Sequence, residues 1–243
     1  MIYQAKQGQV NYGFTIGILM LDTNVPRIPG DVGNATTYPY PVIYRTLKNV
    51  TAKRIAVKDD TILPEIMEKG RELVQNGAKA ITADCGFLQF YQRELRDALN
   101  VPVFLSSLLQ LPFLFLMLDK SEDIGIITAD STLLDRNLLS KIGLDEPHRV
   151  QIAGLQNSSY FYEAFVAESG TLNEDGIRQE VVGLAVNMVK ENPQIKAVLL
   201  ECSFLPTYSK AVQEAVQLPV FDYRTMIDYV QHSYRRGNIN GFL

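Results

Sequence analysis

The sequence contains few of the residues that mark several common classes of protein. Its 243 residues include only two cysteines and two histidines, which excludes a disulfide scaffold and offers no metal-ligand spacing. Acidic and basic residues are interspersed and sum to a net charge of −4, so no basic stripe or polybasic segment is present for nucleic acid or a membrane surface. No glycine-rich phosphate loop is present either. We therefore expect small-molecule partners or further copies of the same chain.

Long apolar runs are also missing. The most apolar stretch, Val101 to Leu118, is interrupted by Pro102 and Pro112 and falls short of a membrane span. It is better interpreted as a buried or subunit-interface helix. Two cysteines and no signal peptide indicate a reducing compartment, so we predict a cytoplasmic protein with two free thiols.

One passage of 26 residues occurs twice. It runs from Lys79 to Phe104 and again, 117 residues later, from Lys196 to Phe221, with ten identical positions. The two cysteines, Cys85 and Cys202, occupy equivalent places in the copies. A second pair of passages, beginning at Ile16 and at Ile124, also repeats. The chain is therefore predicted to be an internal duplication in which each half contributes one thiol.

Short β-branched runs alternate with amphipathic stretches, which is typical of βαβ units. We predict an α/β fold of two similar domains, each a mainly parallel sheet flanked by helices, with the active site in the cleft between them. The first domain is predicted to comprise residues 1–106 with 222–243, and the second residues 107–221. Strands are predicted near residues 15–21, 52–57, 79–84, 102–105, 123–128, 149–154, 196–201 and 219–221. A polar, proline-rich loop from Asp22 to Pro41 is the exception, and long loops of this kind are usually functional or disordered.

Each cysteine follows a predicted strand and precedes a predicted helix. Ligands of open α/β sheets bind at this carboxyl end of the strands. A nearby helix N-terminus is expected to lower the thiol pKa. Asp84 and Glu201, which precede the cysteines, would oppose that effect, but strand alternation predicts that they point away from the sulfur atoms. A single cysteine would be a small buried side chain, whereas two at equivalent positions favour chemistry.

Two opposed thiols suit inversion of a carbon acid, because one removes a proton and the other returns one to the opposite face. The intermediate needs hydrogen-bond donors around its carboxylate or carbonyl. Backbone N–H groups at the turns, such as that after Cys85 at Gly86, could serve, and Arg27 and Asn34 of the polar loop are further candidates. The hydroxyl candidates, which helix capping would explain equally well, are Thr23, Thr128, Ser131, Thr132 and Ser203.

The two cysteine segments, together with the turn from Thr128 to Thr132, resemble the aspartate/glutamate (Asp/Glu/hydantoin) racemase superfamily. That group also includes maleate isomerases and arylmalonate decarboxylases. The resemblance implies a cofactor-independent isomerase, often a homodimer, with its active site between two similar domains. It further implies that Cys85 and Cys202 are the acid/base pair, and that Thr128, Ser131 and Thr132 hold a substrate carboxylate.

The chain departs from the racemase pattern after each cysteine. Amino-acid racemases typically have Asn-Thr after the first, where this chain has Gly86 and Phe87, and Thr after the second, where this chain has Ser203. The two phenylalanines that follow, Phe87 and Phe204, could wall an apolar pocket.

The sequence-based hypothesis is a racemase or epimerase that needs no pyridoxal phosphate, metal or other cofactor and acts on a small carboxylate-bearing carbon acid. An amino acid or a derivative, such as aspartate, glutamate or a hydantoin, would be its substrate. Three alternatives stay open, namely a cis-trans isomerase, a decarboxylase that uses one cysteine, and a non-catalytic binder.

Overall fold

The structure, a computed structural model, describes residues 1–134, 136–142, 149–235 and 237. Its first half contains a three-stranded parallel sheet in the order β2-β1-β3. The inner strand β1 is buried along almost its whole length, as expected for a parallel sheet covered on both faces. The elements of this half are β1 (Ile16–Leu21), β2 (Val42–Leu47), α1 (Ala52–Ala56), α2 (Leu63–Gln75), β3 (Ala80–Ala83) and α3 (Gln92–Ala98).

The second half contains a four-stranded parallel sheet in the order β5-β4-β6-β7. Its longest helix, α7, covers 18 residues and is capped by the side chain of Asn173, which accepts from the Gly176 N–H. The elements are α4 (Leu111–Met117), β4 (Asp123–Thr128), α5 (Arg136–Lys141), β5 (Val150–Gly154), α6 (Ser159–Phe161), α7 (Glu174–Glu191), β6 (Ile195–Leu200), α8 (Ser209–Val216), β7 (Val220–Phe221) and α9 (Tyr223–Tyr234).

The two sheets have the same strand order. Ile16 of β1 pairs with Ala80 of β3, and the equivalent Ile124 of β4 pairs with Ala197 of β6. A single bridge from Ile81 to Val103 occupies the place that β7 takes beside β6 in the second sheet. The predicted fold class, two similar parallel sheets flanked by helices and related by duplication, is therefore confirmed.

Helix α9 packs against the first sheet although it follows the second in the chain. Tyr223, Met226 and Ile227 form one apolar cluster with Ile16 and Ile18 of β1. The phenol of Tyr223 donates to the carbonyl of residue 105 over 2.6 Å. The domain boundaries nevertheless stay a prediction, and residues 135, 143–148, 236 and 238–243 of the predicted domains lie outside the described residues.

Of the predicted strands, that at residues 102–105 is reduced to the bridge at Val103, and that at residues 52–57 is wrong. Residues 52–57 form helix α1 instead, whose N-cap Thr51 accepts from the Arg54 N–H. The strand of this region is β2, which the prediction left without an element and which pairs with β1 over its full length. Ile55 is the only buried residue of α1. A short polar helix with one buried side chain has too weak a period to be recognised from the sequence.

The apolar stretch around α4 carries exposed side chains in the single chain. Phe113, Leu116 and Met117 are more than half exposed. Such a surface is what a subunit interface would need, but the homodimer stays a prediction. Within the described ranges, no helix has both the length and the apolar character that crossing a membrane requires.

Candidate active site

A cavity of about 290 Å³ lies where the carboxyl ends of the two sheets face each other. Both cysteines line it, and each is the second residue beyond its strand, Cys85 after β3 and Cys202 after β6. In each half the chain then enters a 3-10 turn, which is Gly86–Tyr91 in the first half and Leu205–Tyr208 in the second. The duplication thus brings two free thiols into one cavity.

The thiols are less acidic than the sequence suggests. Burial raises the pKa of both, and the carboxylates of Asp84 and Glu201 raise that of Cys85 further. Backbone N–H groups act in the opposite direction, two on Cys85 from Phe87 and Leu88 and one on Cys202 from Phe204, but their effect is smaller. The expected thiolate-favouring environment is therefore wrong, because desolvation outweighs the N–H groups at the turn.

Two buried carboxylates stand beside the thiols in different environments. Asp84 accepts from the Leu21 N–H over 2.8 Å and from Arg27 over 2.6 Å. Glu201 accepts from the Thr128 hydroxyl over 2.8 Å through Oε2, while its Oε1 has no hydrogen-bond partner among the described residues. Burial raises the pKa of Glu201 to about 7, although the Thr128 bond lowers it. Among the described residues, one carboxylate is thus compensated by a cation and the other is not.

The two cysteine turns contact each other crosswise. The hydroxyl of Ser203, which follows Cys202, donates to the carbonyl oxygen of Asp84, which precedes Cys85. In the reverse direction, Gly86 lies so close to Glu201 that a Cβ atom there would overlap Oε1. A glycine after Cys85 is therefore required by the Glu201 carboxylate, not by the backbone conformation. The contacts make the turns one approximately symmetric unit.

The polar loop between β1 and β2 closes one side of the cavity through Arg27. Its guanidinium binds Asp31 over 3.2 Å and Asp84 over 2.6 Å, and it contacts the Thr23 hydroxyl over 3.0 Å. It also lies 4.6 Å from the centre of the Phe204 ring, in cation–π geometry. Arg27 is therefore already engaged by two acids before any ligand arrives. The predicted bidentate grip on a substrate carboxylate would compete with these contacts.

Aromatic rings form much of the remaining wall. Phe165 stacks on Phe204 with 4.0 Å between ring centres and tilts against Phe161 at 4.8 Å. These rings and Tyr162 line the cavity together with Phe87. Tyr162–Val166 is a single π-helical turn, a feature often found at functional sites. The cavity is therefore apolar on this side.

The structure brings some of the predicted site residues together and places others elsewhere. Cys85, Cys202, Thr23, Arg27, Gly86 and Ser203 line the cavity. The other four lie outside its lining. Thr128 reaches the site only through Glu201, Ser131 bonds with Gln156, and Thr132 bonds to its own cap, Asp130. Asn34 caps a turn and donates to the Arg27 carbonyl. The roles assigned to all these residues stay predictions.

Sequence reasoning missed several residues that line the cavity. The most important are Asp84 and Glu201, whose signal was present, since an acid precedes the cysteine in both copies. Others carried no local signal, because they come from separate helices, turns and loops that only the fold brings to the cavity. They include Lys53, Asp130, Gln156, Phe161, Tyr162, Phe165 and Glu168.

No protein-family model matches the sequence. Curated proteins do match. A dimethylsulfoniopropionate lyase of Durusdinium sp. clade D is 31% identical over 224 residues, which cover 88% of this chain and 73% of that protein. Dimethylsulfoniopropionate lyase 6 of Emiliania huxleyi (strain CCMP1516) is 33% identical over 218 residues, 86% of this chain. The chain spans only 56% of the length of the second relative.

Solved structures with the same fold are more distant in sequence. Unliganded arylmalonate decarboxylase superposes with a TM-score of 0.59 at 17% identity, covering 93% of this chain and 95% of the other. Glutamate racemase from Bacillus anthracis gives 0.58 at 15% identity, with 90% and 82% covered. The fold is thus that of the racemases. The predicted isomerase activity is not shown, because the relatives that are more similar in sequence are named lyases.

Proposed function

The chain belongs to the family of the dimethylsulfoniopropionate lyases, and we propose that it cleaves a β-sulfonium carboxylate such as dimethylsulfoniopropionate. The observation that carries this proposal is the cavity with two thiols at the facing ends of β3 and β6. Once deprotonated, a thiol can act there as a general base on a carbon acid. The assignment to cleavage, as opposed to inversion, rests on the family.

The proposed reaction is an elimination. A base takes the proton from the carbon next to the carboxylate, the electron pair of that C–H bond forms the C=C bond, and the C–S bond breaks. Dimethyl sulfide departs with the C–S electron pair, and acrylate remains. Since the sulfonium is lost as a neutral sulfide, the reaction releases one proton overall.

The charge and the walls of the cavity support a substrate that carries a cationic group. Its lining includes four carboxylate residues, Asp84, Asp130, Glu168 and Glu201, against two cations, Arg27 and Lys53. An excess of acids disfavours a substrate with a second carboxylate, such as aspartate or glutamate. Aromatic faces attract cations, so the ring-lined side provides a place for the dimethylsulfonium group.

Cys85 is the better candidate for the base. Its side chain is only partly buried, whereas Cys202 is 7% exposed. The Cys85 sulfur receives two backbone N–H groups and the Cys202 sulfur one, and such donors stabilise a thiolate. An elimination needs one base and no acid for the departing sulfide. Cys202 would then shape the cavity and limit access of water.

The test is direct. Purified protein is incubated with dimethylsulfoniopropionate, and dimethyl sulfide is measured by gas chromatography and acrylate by proton NMR. Parallel samples contain D- and L-glutamate, D- and L-aspartate, a hydantoin and an arylmalonate. We expect equal amounts of sulfide and acrylate and no turnover of the other compounds. Inversion of an amino acid or loss of carbon dioxide, without release of sulfide, would refute the proposal.

Lys53, at the start of α1, is exposed and lines the cavity, where it can attract the substrate carboxylate. We expect Lys53→Gln to raise KM about 3–10-fold with little change in kcat, because an exposed charge contributes about 1 kcal/mol. Steady-state kinetics at low and high salt measure this, and salt should reduce the difference by screening. Lys48→Gln, an exposed lysine outside the lining, is the matched control. Equal KM values in both variants would remove Lys53 from substrate binding.

Racemisation is the second candidate, and the equivalence of the two thiols favours it. Inversion needs a proton donor opposite the base, and Cys85 and Cys202 line one cavity from facing turns. The two candidates differ in their demand on the second thiol, because only inversion requires both.

A further inference from the structure

Glu201 is buried with one carboxylate oxygen unused. The residue is 1% exposed, and its Oε2 is held by Thr128. Its Oε1 lacks a hydrogen-bond partner in the described part of the chain and lies against the backbone of Gly86, directly after Cys85. Unsatisfied buried oxygens are rare in folded proteins because they are costly, and they often have a role in chemistry. Glu201 and Cys85 both line the cavity.

The duplicated acids have diverged. Asp84, the equivalent of Glu201, is paired with Arg27 and with a backbone N–H, so its ionised form is compensated. The titratable groups that interact with Glu201 are the thiols of Cys85 and Cys202 and the phenol of Tyr223. Burial raises the pKa of all three, which are therefore neutral near pH 7. A separate charged cluster lies at the other cysteine turn. It consists of Arg27 and the two acids that it binds, Asp31 and Asp84.

We propose that Glu201 accepts the proton of the Cys85 thiol through Oε1 by way of one bridging water molecule, since no hydrogen bond joins the Cys85 sulfur to Oε1 directly, so that the thiolate base forms inside the cavity. The proposal rests on the proposed elimination. Glu201 does not contact the substrate in this scheme and is a positioning residue that acts through Cys85.

The proton balance is complete. The S–H bond of Cys85 breaks and an O–H bond forms on Glu201. The thiolate then takes the proton from the carbon next to the substrate carboxylate, which regenerates the S–H bond while dimethyl sulfide leaves. Glu201 afterwards releases its proton to water, which accounts for the one proton that the elimination produces.

Transfer of the proton within the cavity avoids an energetic problem. If Cys85 lost its proton to solvent while Glu201 stayed ionised, two negative charges would face the same, mainly apolar cavity. Moving the proton to Glu201 keeps the net charge constant. Because burial raises the pKa of Glu201 to about 7, its basicity suits an acceptor that both takes and releases a proton near neutral pH.

The variant Glu201→Gln distinguishes proton acceptance by Glu201 from the effect of its negative charge on the pKa of Cys85. Removal of a negative charge should lower the thiol pKa, so iodoacetamide should alkylate Cys85 faster at pH 9 than in the wild type. Turnover of dimethylsulfoniopropionate should nevertheless fall about 10–100-fold in kcat at pH 8, because the proton acceptor is lost. Peptide mass spectrometry resolves alkylation of Cys85 from that of Cys202. Thermal unfolding at pH 8 should show no loss of stability, since the wild type buries an ionised carboxylate there.

Thr128→Val tests the same role with the carboxylate retained. The Thr128 hydrogen bond lowers the pKa of Glu201, so its removal should raise that pKa. The acid limb of the kcat profile should then shift to higher pH, by about half a unit or more, with the maximum rate largely kept. Val and Thr are similar in shape, which limits the effect on packing. An unshifted acid limb would exclude Glu201 as the titrating group.

Alkylation of the substrate-free protein tests the proton transfer from Cys85 to Glu201 independently of which substrate the protein cleaves. In the wild type, the Cys85 rate should rise through about pH 7 as Glu201 becomes able to accept a proton, and Glu201→Gln should lack this step. If no such step is found, or if the variant cleaves the substrate as fast as the wild type, the relay is overturned. If the step is present but dimethylsulfoniopropionate is not cleaved, the relay stands and only the proposed function fails.

Discussion

Replacement of Cys85 by serine is expected to lower kcat for release of dimethyl sulfide by about 10³–10⁴-fold, the upper range for loss of a general base. Serine preserves the size of the side chain, but its hydroxyl is far less acidic than a thiol. The backbone N–H groups of Phe87 and Leu88, which stabilise a thiolate at this position, cannot compensate for that difference. Gas chromatography of dimethyl sulfide over a range of enzyme concentrations measures the loss.

Cys202→Ser is the matched control, since it makes the same change at the equivalent position of the other half. We expect a loss of only about 10-fold, because the elimination requires one base. Binding of dimethylsulfoniopropionate, measured by calorimetry, should persist in both variants. Losses of similar size in the two variants would contradict the one-base scheme and favour the two-thiol chemistry of a racemase.

Much of the fold could be predicted from the repeat. Once Lys79–Phe104 and Lys196–Phe221 are recognised as copies, one half determines the layout of the other, including the bridge at Val103 and its equivalent at Val220. The error at residues 52–57 arose outside the repeated passages, where no sequence similarity linked β2 to its counterpart β5. A five-residue helix and a half-buried strand differ too little in pattern to be separated by periodicity.

The position of the site could be predicted from the sequence, but the pKa shifts of its thiols could not. The repeat places both thiols at strand ends, and the structure has them there. The direction of their pKa shifts could not be foreseen, because it depends on burial and on neighbours from the other half. Strand alternation also failed for Asp84 and Glu201, since β3 ends at Ala83 and β6 at Leu200. Beyond those residues the chain turns, and the alternation of side chains no longer applies.

The crosswise contacts explain why the two halves differ where they meet. Positions 86 and 203 are equivalent in the repeat, but one is glycine and the other serine. Glycine leaves space for the longer acid, Glu201, whereas the serine hydroxyl binds the backbone of the shorter acid, Asp84. Only the glycine is therefore fitted to an acidic side chain of the opposite half, since the serine contacts the backbone. The two duplicated turns thus differ in sequence where they contact each other. Among the described residues, the Asp84 carboxylate is paired with Arg27, whereas the Glu201 carboxylate has no cationic partner.

Arg27→Met is expected to lower the free energy of unfolding by about 3–5 kcal/mol at pH 8, the usual cost of removing one partner from a buried ion pair. Arg27 neutralises Asp31 and Asp84, whose side chains are 3% and 1% exposed. Methionine retains much of the apolar stem and its packing on Phe204, so the loss reports the charge. Urea unfolding followed by circular dichroism measures it.

The pH dependence of this loss tests its cause. Burial raises the pKa of Asp31 to about 6, although Arg27 lowers it. An acid whose pKa is raised in the folded state destabilises the protein as pH rises through that value, and the effect grows when the compensating cation is removed. The destabilisation by Arg27→Met should therefore be larger at pH 8 than at pH 5.

Arg93→Met removes an arginine that is 83% exposed and 3.8 Å from Asp97, and it should cost less than about 0.5 kcal/mol at either pH. A loss in Arg27→Met that does not change with pH would show that the ion pairs with Asp31 and Asp84 are not its cause.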